Sequence, residues 1–298
     1  MLAGVGAASV ANVPLWAQKK RSVTIGHTGI TWPGPRPVTI EAIDAIFKDV
    51  SSLGFRGLEL FSWQIEGMEA SGGLLPLVEK YKLPLISSYT GMNLTDAARR
   101  KETVDGAAAT AKIVKKNGGR IIVVGPNSVP RASYVFADHK ADILATLNDA
   151  AKAIVDAGLT PALHQHTGTC IESREETYAI MEAADTRYLK FGPDIGQLQK
   201  GGSDPVQVVK DFLPLVQHMH LKDFSGGDAY LGYCPLGQGK VNIPAILDMM
   251  ERKTLSGMIM VELDSSRNMP ATPLEAATIA RKYLDKEGVE IRPREIEG

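Results

Sequence analysis

An α/β fold, a (βα)8 TIM barrel, is what this sequence predicts, on three observations. Eight short β-prone segments alternate with eight helical ones without a break. The last four segments each end on ionisable side chains, and the C-terminal ends of barrel strands are where active sites are built. No GxGxxG or GxxxxGKS/T loop follows any strand, which sets this sheet apart from a nucleotide-binding one.

In order, the strand segments are RSVTIGHTGI, FRGLELF, LPLISSY, GRIIVVG, LTPALHQH, YLKFGPD, VQHMHLKD and MIMVELD. Each is short and rich in β-branched or other apolar residues, as strands buried on both faces are. Between them lie helices such as IEAIDAIFKDVSSLG, ending at Gly54, and ADILATLNDAAKAIVDAG, ending at Gly158. Their apolar residues recur at helical spacing, and the terminal glycines read as C-caps. Strict alternation gives a parallel sheet, and eight units favour closure into a barrel. Polar loops after the strands, GPNSVPRASYVFADH, FSGGDAYLGYCPLGQGKVN and DSSRNMPATP, would form the rim of a pocket. Tyr230 and Tyr233 in the second of these are candidates to touch a substrate.

The 298 residues are 44% hydrophobic and 22% charged, with a formal net charge of −1, an ordinary composition for a soluble globular chain with a large core. Basic clusters are short and lack interleaved aromatics, which argues against nucleic acid. Cys170 and Cys234 are too few for a disulfide framework. Residues 1–20 read as a separate segment and 21–298 as a single domain. The stretch MLAGVGAASVANVPLWAQ resembles the hydrophobic part and cleavage region of an export signal without its charged leader. It is either a truncated signal, placing the mature protein in the periplasm or outside the cell, or a disordered Ala-rich tail on a cytoplasmic protein. No other segment reaches the roughly 18 apolar residues that a membrane span needs.

Chemistry concentrates at the strand ends. Four of the six histidines, His164, His166, His218 and His220, sit at two strand ends that alternate with strands ending in Asp194 and Glu262. Side chains alternate faces along a strand, so each histidine pair shares a face. Imidazoles with carboxylates suit one divalent ion of Mn, Zn, Co, Fe or Ni better than Ca, which prefers all-oxygen shells.

Six motifs, GLELF, LHQHTGT, FGPDIGQL, HMHLKDF, PLGQGKVNIPAIL and VELD, together resemble the xylose isomerase-like TIM barrels over about residues 22–286. That group holds sugar isomerases, ketose 3-epimerases and inosose dehydratase. Carried over by position, the resemblance implies a metal held by His164, Asp194, His220 and Glu262. His164 stands where the isomerases and epimerases have a glutamate, and the HxHxGT segment looks more like the inosose dehydratase branch. The expected activity is therefore proton abstraction next to the carbonyl of a keto-sugar, keto-glycoside or keto-inositol, as a dehydratase or lyase. The alternatives are a sugar isomerase or epimerase of the same group and a non-catalytic carbohydrate-binding barrel.

Within this reading His166 is the base, able to exchange roles with His164, and Glu59 or Lys222 is the acid. Trp32, Gln197, His27 and Asp223 are candidates to bind substrate. The expected partner is a small carbohydrate or polyol, with no nucleic acid, no membrane span and a homo-oligomer left open.

Overall fold

Parallel strands must be joined by crossovers, and here helices supply them. The computed structural model describes residues 20–266 and 269–291; the signal-like segment lies outside the described residues. Eight parallel strands form one sheet in the order β6-β5-β4-β3-β2-β1-β10-β7. They are β1 (Ile25–Thr28), β2 (Leu58–Phe61), β3 (Leu85–Met92), β4 (Ile121–Pro126), β5 (Thr160–Leu163), β6 (Lys190–Phe191), β7 (Met219–Leu221) and β10 (Ile259–Val261). Each overlaps one of the eight predicted segments, with β3 running three residues and β4 one residue past the predicted end. The barrel closes between β6 and β7, where Gln217 N donates to Phe191 O at 3.0 Å and His220 N to Pro193 O at 2.9 Å. A two-stranded hairpin, β8 (Asp223–Phe224) and β9 (Tyr233–Cys234), sits beyond β7.

Ten α-helices, rather than eight, occur among the described residues: α1 (Ile40–Ser52), α2 (Ser62–Met68), α3 (Leu75–Tyr81), α4 (Arg100–Lys116), α5 (Phe136–Asp156), α6 (Arg174–Met181), α7 (Ile195–Lys200), α8 (Pro205–Asp211), α9 (Ile243–Met250) and α10 (Pro273–Lys286). Two crossovers are each split by a glycine pair. Gly72 and Gly73 part α2 from α3, and Gly201 and Gly202 part α7 from α8, with Gly72, Gly73 and Gly202 all in the left-handed region that side chains disfavour. Gly54 and Gly158 also have positive φ, as expected for residues that follow a helix end. No helix among the described residues is long and apolar enough to cross a membrane.

Period-two alternation sorts the strand residues into two layers. Ile122, Val124, Ile259, Val261, Met219 and Leu221 join the large core between sheet and helices. Their neighbours Ile121, Val123, Ala162, Met258 and Met260 form small clusters of their own, which pack inside the barrel. The inward set turns from apolar to ionisable along each strand: Ala162, His164, His166 on β5 and beyond; Met258, Met260, Glu262, Asp264 on β10 and beyond. The lower barrel is thus plugged with side chains and the upper barrel lined with chemistry.

The same count places His27 on the outer layer with Ile25. His27 is 1% exposed and packs edge-on against Trp32 and Phe55 at ring distances of 5.1 and 5.0 Å. Burial pushes its imidazole down to about 4. The native state therefore stays neutral at His27 where the unfolded chain begins to protonate, so stability falls with pH below about 6.5 and continues to fall towards 4. Between pH 6.5 and 5 this one residue is expected to cost about 1.5 kcal/mol. Urea unfolding of the wild type and of His27→Leu at both pH values checks it: the variant should show a shallower loss by that amount.

Candidate functional site

The inward, C-terminal ends of β2, β3, β5, β6, β7 and β10 converge on one cluster. Its lowest layer is Glu59, 2% exposed. A register shift puts one extra residue, Ile86, in β3 opposite the Leu58–Glu59 step, so that Glu59 pairs with Ser87. Ser87 Oγ donates to Glu59 Oε2 at 2.6 Å, and His218 Nε2 lies 2.9 Å from the same oxygen. Met258 N–H donates to His218 Nδ1 at 3.2 Å, which leaves Nε2 as the protonated nitrogen and the donor to Glu59. Burial alone would raise the Glu59 carboxyl, but the charge of His220 and the His218 and His220 contacts outweigh it and hold it well below the usual carboxylate range.

His220 stands between two carboxylates. Its Nε2 lies 2.9 Å from Glu59 Oε1 and its Nδ1 2.9 Å from Glu262 Oε2, but neither contact has the alignment of a directed hydrogen bond. Burial works against its charge, yet Glu262 and Glu59 together raise its pKa well above the usual histidine value. His164 is 4.6 Å from the His220 ring, and its Nε2 is 4.0 Å from Asp194 Oδ2. Burial, and then the His220 charge, hold His164 neutral, far below its ordinary value. Asp194 Oδ1 caps α7 through Gly196 N at 2.8 Å and Gln197 N at 2.9 Å. Its pKa is pushed up to about 6 by burial, against the lowering effect of Lys222.

Among the described residues, two groups of donors lie close enough to hold a metal: Glu59, His218 and His220, and His164, Asp194 and His220. In the first, the His218 proton and the Glu59 lone pairs already serve each other. In the second, His164 Nδ1 and both His220 nitrogens are buried with no hydrogen-bond partner. Buried nitrogens without partners are costly in a finished core and ordinary in a ligand set. The second group, with Glu262 beside His220, therefore fits a nitrogen- and oxygen-liganded divalent ion. Glu59 would act behind it, steadying His220 from the far nitrogen as a carboxylate does for a ligating imidazole.

Lys222 is fully buried, its Nζ 2.7 Å from Glu262 Oε1, 2.9 Å from Asp264 Oδ2 and 3.3 Å from Asp194 Oδ2. Burial opposes its charge, but Asp194, Asp264 and Glu262 raise its pKa well above the usual lysine value. Burial would likewise raise Glu262, but His220 and Lys222 hold it well below.

A cavity opens over this cluster, lined by Thr28, Gly29, Ile30, Glu59, Leu60, Phe61, Tyr89, His164, His166, Glu262 and Asp264. His166 Nδ1 donates to Thr167 O at 2.6 Å, and its Nε2 meets Gln197 Nε2 at 2.8 Å. The Gln197 amide is oriented by its Oε1, which accepts from Thr167 N at 3.1 Å and Thr167 Oγ1 at 2.7 Å. Its NH2 must then donate to His166, which fixes Nε2 as the basic nitrogen. Burial lowers the His166 pKa and keeps the ring neutral.

The structure brings His164, His166, Asp194, Gln197, His220, Lys222, Glu262 and Glu59 together. Three candidates for substrate contact lie elsewhere. Trp32 is a core residue whose Nε1 donates to Asp49 Oδ2 at 2.8 Å, and His27 faces the helices. Asp223 clamps the loop after β9. Its Oδ2 accepts from Gly237 N at 2.9 Å and Gly239 N at 2.8 Å, and its Oδ1 from Phe224 N at 2.9 Å and Val241 N at 3.2 Å. This explains the PLGQG motif: Gly237 has φ +83°, and a Cβ on Gly239 would sit 2.1 Å from Asp223 Oδ1. Asp223→Ala would orphan these amides and is expected to cost on the order of 3 kcal/mol, read by urea unfolding, with faster proteolysis of residues 235–241.

Tyr230 is also structural, its hydroxyl accepting from Ala271 N at 3.1 Å. Tyr233 flanks the site, its ring face 4.3 Å from Lys222 Nζ. Neither Lys222 nor Glu59 suits the part of acid: the Lys222 ammonium is aimed at three carboxylates, and Glu59 is an ionised acceptor. Asp264, Tyr89, Ser87 and Thr167 are site residues that the sequence reading passed over. Tyr89 and Asp264 fall on the inward face by strand alternation alone, the one signal that could have found them.

The sequence profile of the xylose isomerase-like TIM barrel matches residues 47–286. An inosose dehydratase of Clostridium botulinum is 23% identical over 291 residues, covering 88% of this chain and 96% of that protein. The probable 3-DHS dehydratase of petrobactin synthesis from Bacillus anthracis superposes with a TM-score of 0.71 at 16% identity, covering 88% of this chain and 98% of that one. The IOLI protein with a bound zinc atom gives a TM-score of 0.70 at 16% identity, over 89% and 98%. Profile match and closed barrel agree, and this chain belongs to the xylose isomerase-like TIM barrel family.

Proposed function

We propose that this chain is a divalent-metal-dependent lyase that removes the proton α to the carbonyl of a cyclic keto-polyol, keto-sugar or keto-glycoside and expels a hydroxyl from the β-carbon. The observation that carries this reading is one cavity lined by both His166, a neutral imidazole paired with the Gln197 amide, and His164 and Glu262, behind which His220 and Asp194 complete an ion-competent set. The 23% likeness to an inosose dehydratase points the same way.

His164, Asp194, His220 and Glu262 would hold a divalent ion, which would supply Lewis acidity to make the proton next to a carbonyl more acidic. His166 Nε2 takes the proton. Gln197 guards that nitrogen until substrate displaces its amide, while Thr167 O keeps the proton on Nδ1. Once protonated, His166 is the acid that returns a proton to the departing hydroxyl on the same face, a syn elimination. Ile30, Leu60, Phe61 and Tyr89 offer an apolar wall to the C–H face of a ring, the part that Trp32 does not play.

The test is incubation with keto-inositols and keto-glycosides in D2O, with the zinc- or manganese-loaded wild type and His166→Asn. The wild type should yield an eliminated product. The variant should keep its metal and lose roughly 100–10,000-fold in rate. Deuterium uptake without elimination would replace this reading with an epimerase or isomerase, and carbohydrate affinity that survives chelation would replace it with a binding barrel.

A further inference from the structure

Lys222 Nζ lies within ion-pair distance of three carboxylates, and these are not equivalent. Asp194 and Glu262, at 3.3 and 2.7 Å, belong to the proposed ligand quartet. Asp264, at 2.9 Å, does not: Glu262 touches His220 at 2.9 Å, whereas Asp264 lies two residues further along the same face and meets the set through Lys222. The Tyr233 ring closes the fourth side of the ammonium at 4.3 Å. A divalent ion on Asp194 and Glu262 would share two carboxylates with a fixed positive charge in a buried, weakly screened place. One of the two cations must yield, and Asp264 offers the ammonium a partner that the ion does not need.

We propose that Asp264 is a positioning residue for metal loading: as the counter-ion of Lys222, it draws the ammonium away from Asp194 and Glu262 and so sets the affinity of the quartet for its ion. The inference rests on the metal-dependent reading above and adds a residue to it. Asp264 also lines the cavity, so a direct contact with substrate or ion is the competing explanation, and the two separate by whether its effect passes through Lys222.

Zinc affinity, measured on the full chain by competition with a chromophoric chelator, decides between them without reference to turnover. Asp264→Asn is expected to weaken zinc binding about 10–100-fold, the usual effect of removing an outer partner of a metal site. Lys222→Met should bind zinc as tightly as the wild type or more tightly. In the Lys222→Met background, Asp264→Asn should change affinity by less than about threefold, the signature of a coupled pair. Lys222→Gln, which keeps hydrogen-bond donors without the charge, closes the same cycle where the methionine variant does not hold its fold. An Asp264→Asn effect of equal size in both backgrounds overturns the proposal, as does wild-type-like affinity in Asp264→Asn. A wild type that binds no zinc overturns the metal-dependent reading itself, a result distinct from either.

Discussion

Asp194→Asn is expected to leave the barrel folded and to strip it of its ion. The two carboxylate oxygens do different work: Oδ1 caps α7 through Gly196 and Gln197, while Oδ2 faces His164 and Lys222. Asparagine is as good an N-cap as aspartate, so the cap survives and the melting temperature should stay within about 3 °C. The ligand charge does not survive. Zinc affinity should fall on the order of 100-fold or more, and the proposed metal-dependent proton abstraction by roughly 1,000-fold. Elemental analysis after gel filtration, beside a deuterium-exchange assay, reads both. One equivalent of zinc retained in the variant would remove Asp194 from the ligand set.

Lys222→Met is expected to give the largest loss of stability. The ammonium is the cation shared by Asp194, Glu262 and Asp264, and its removal leaves three buried carboxylates facing one another. Breaking a buried ion pair by deleting one partner costs about 3–5 kcal/mol, because the remaining charge has neither water nor a counter-ion. In a chain of this size that is a fall in melting temperature of about 6–20 °C for the metal-free protein. Zinc should restore most of it by taking over the neutralisation. Thermal unfolding with chelator and with zinc tests both halves; equal melting temperatures for variant and wild type in chelator would mean that the network contributes nothing to stability.

The architecture was legible because it is written in short-range patterns. Alternating strand and helix segments gave the barrel, and ionisable residues at strand ends gave its working face. Strand alternation also puts Asp264 behind Glu262, Tyr89 above Ser87, and His27 with Ile25 on the helix side. Other relations were hidden because they depend on register between distant strands. Nothing local to GLELF says that His218, 159 residues away, will donate to Glu59. Nor does it show that an extra residue in β3 will aim Ser87 at the same oxygen. Asp223 misled for a related reason. Its side chain turns back to four backbone amides, three of them in the glycine-rich loop that follows β9, and a carboxylate facing a loop looks in sequence like one facing a ligand.

The closure of the barrel between β6 and β7 bears on how the molecule breathes. β6 is two residues long, and it meets the β7 strand line through two isolated bridges, Phe191 with Val216 and Asp194 with His220. The second bridge joins two members of the proposed quartet. A cylinder of strands parts first at its thinnest seam, and this one is spanned by the groups that would grip the ion. Ligation would then act as a clasp across the opening: slow amide exchange at Gln217 and His220 would report its fastening, and catalysis and cohesion would share a single hinge line.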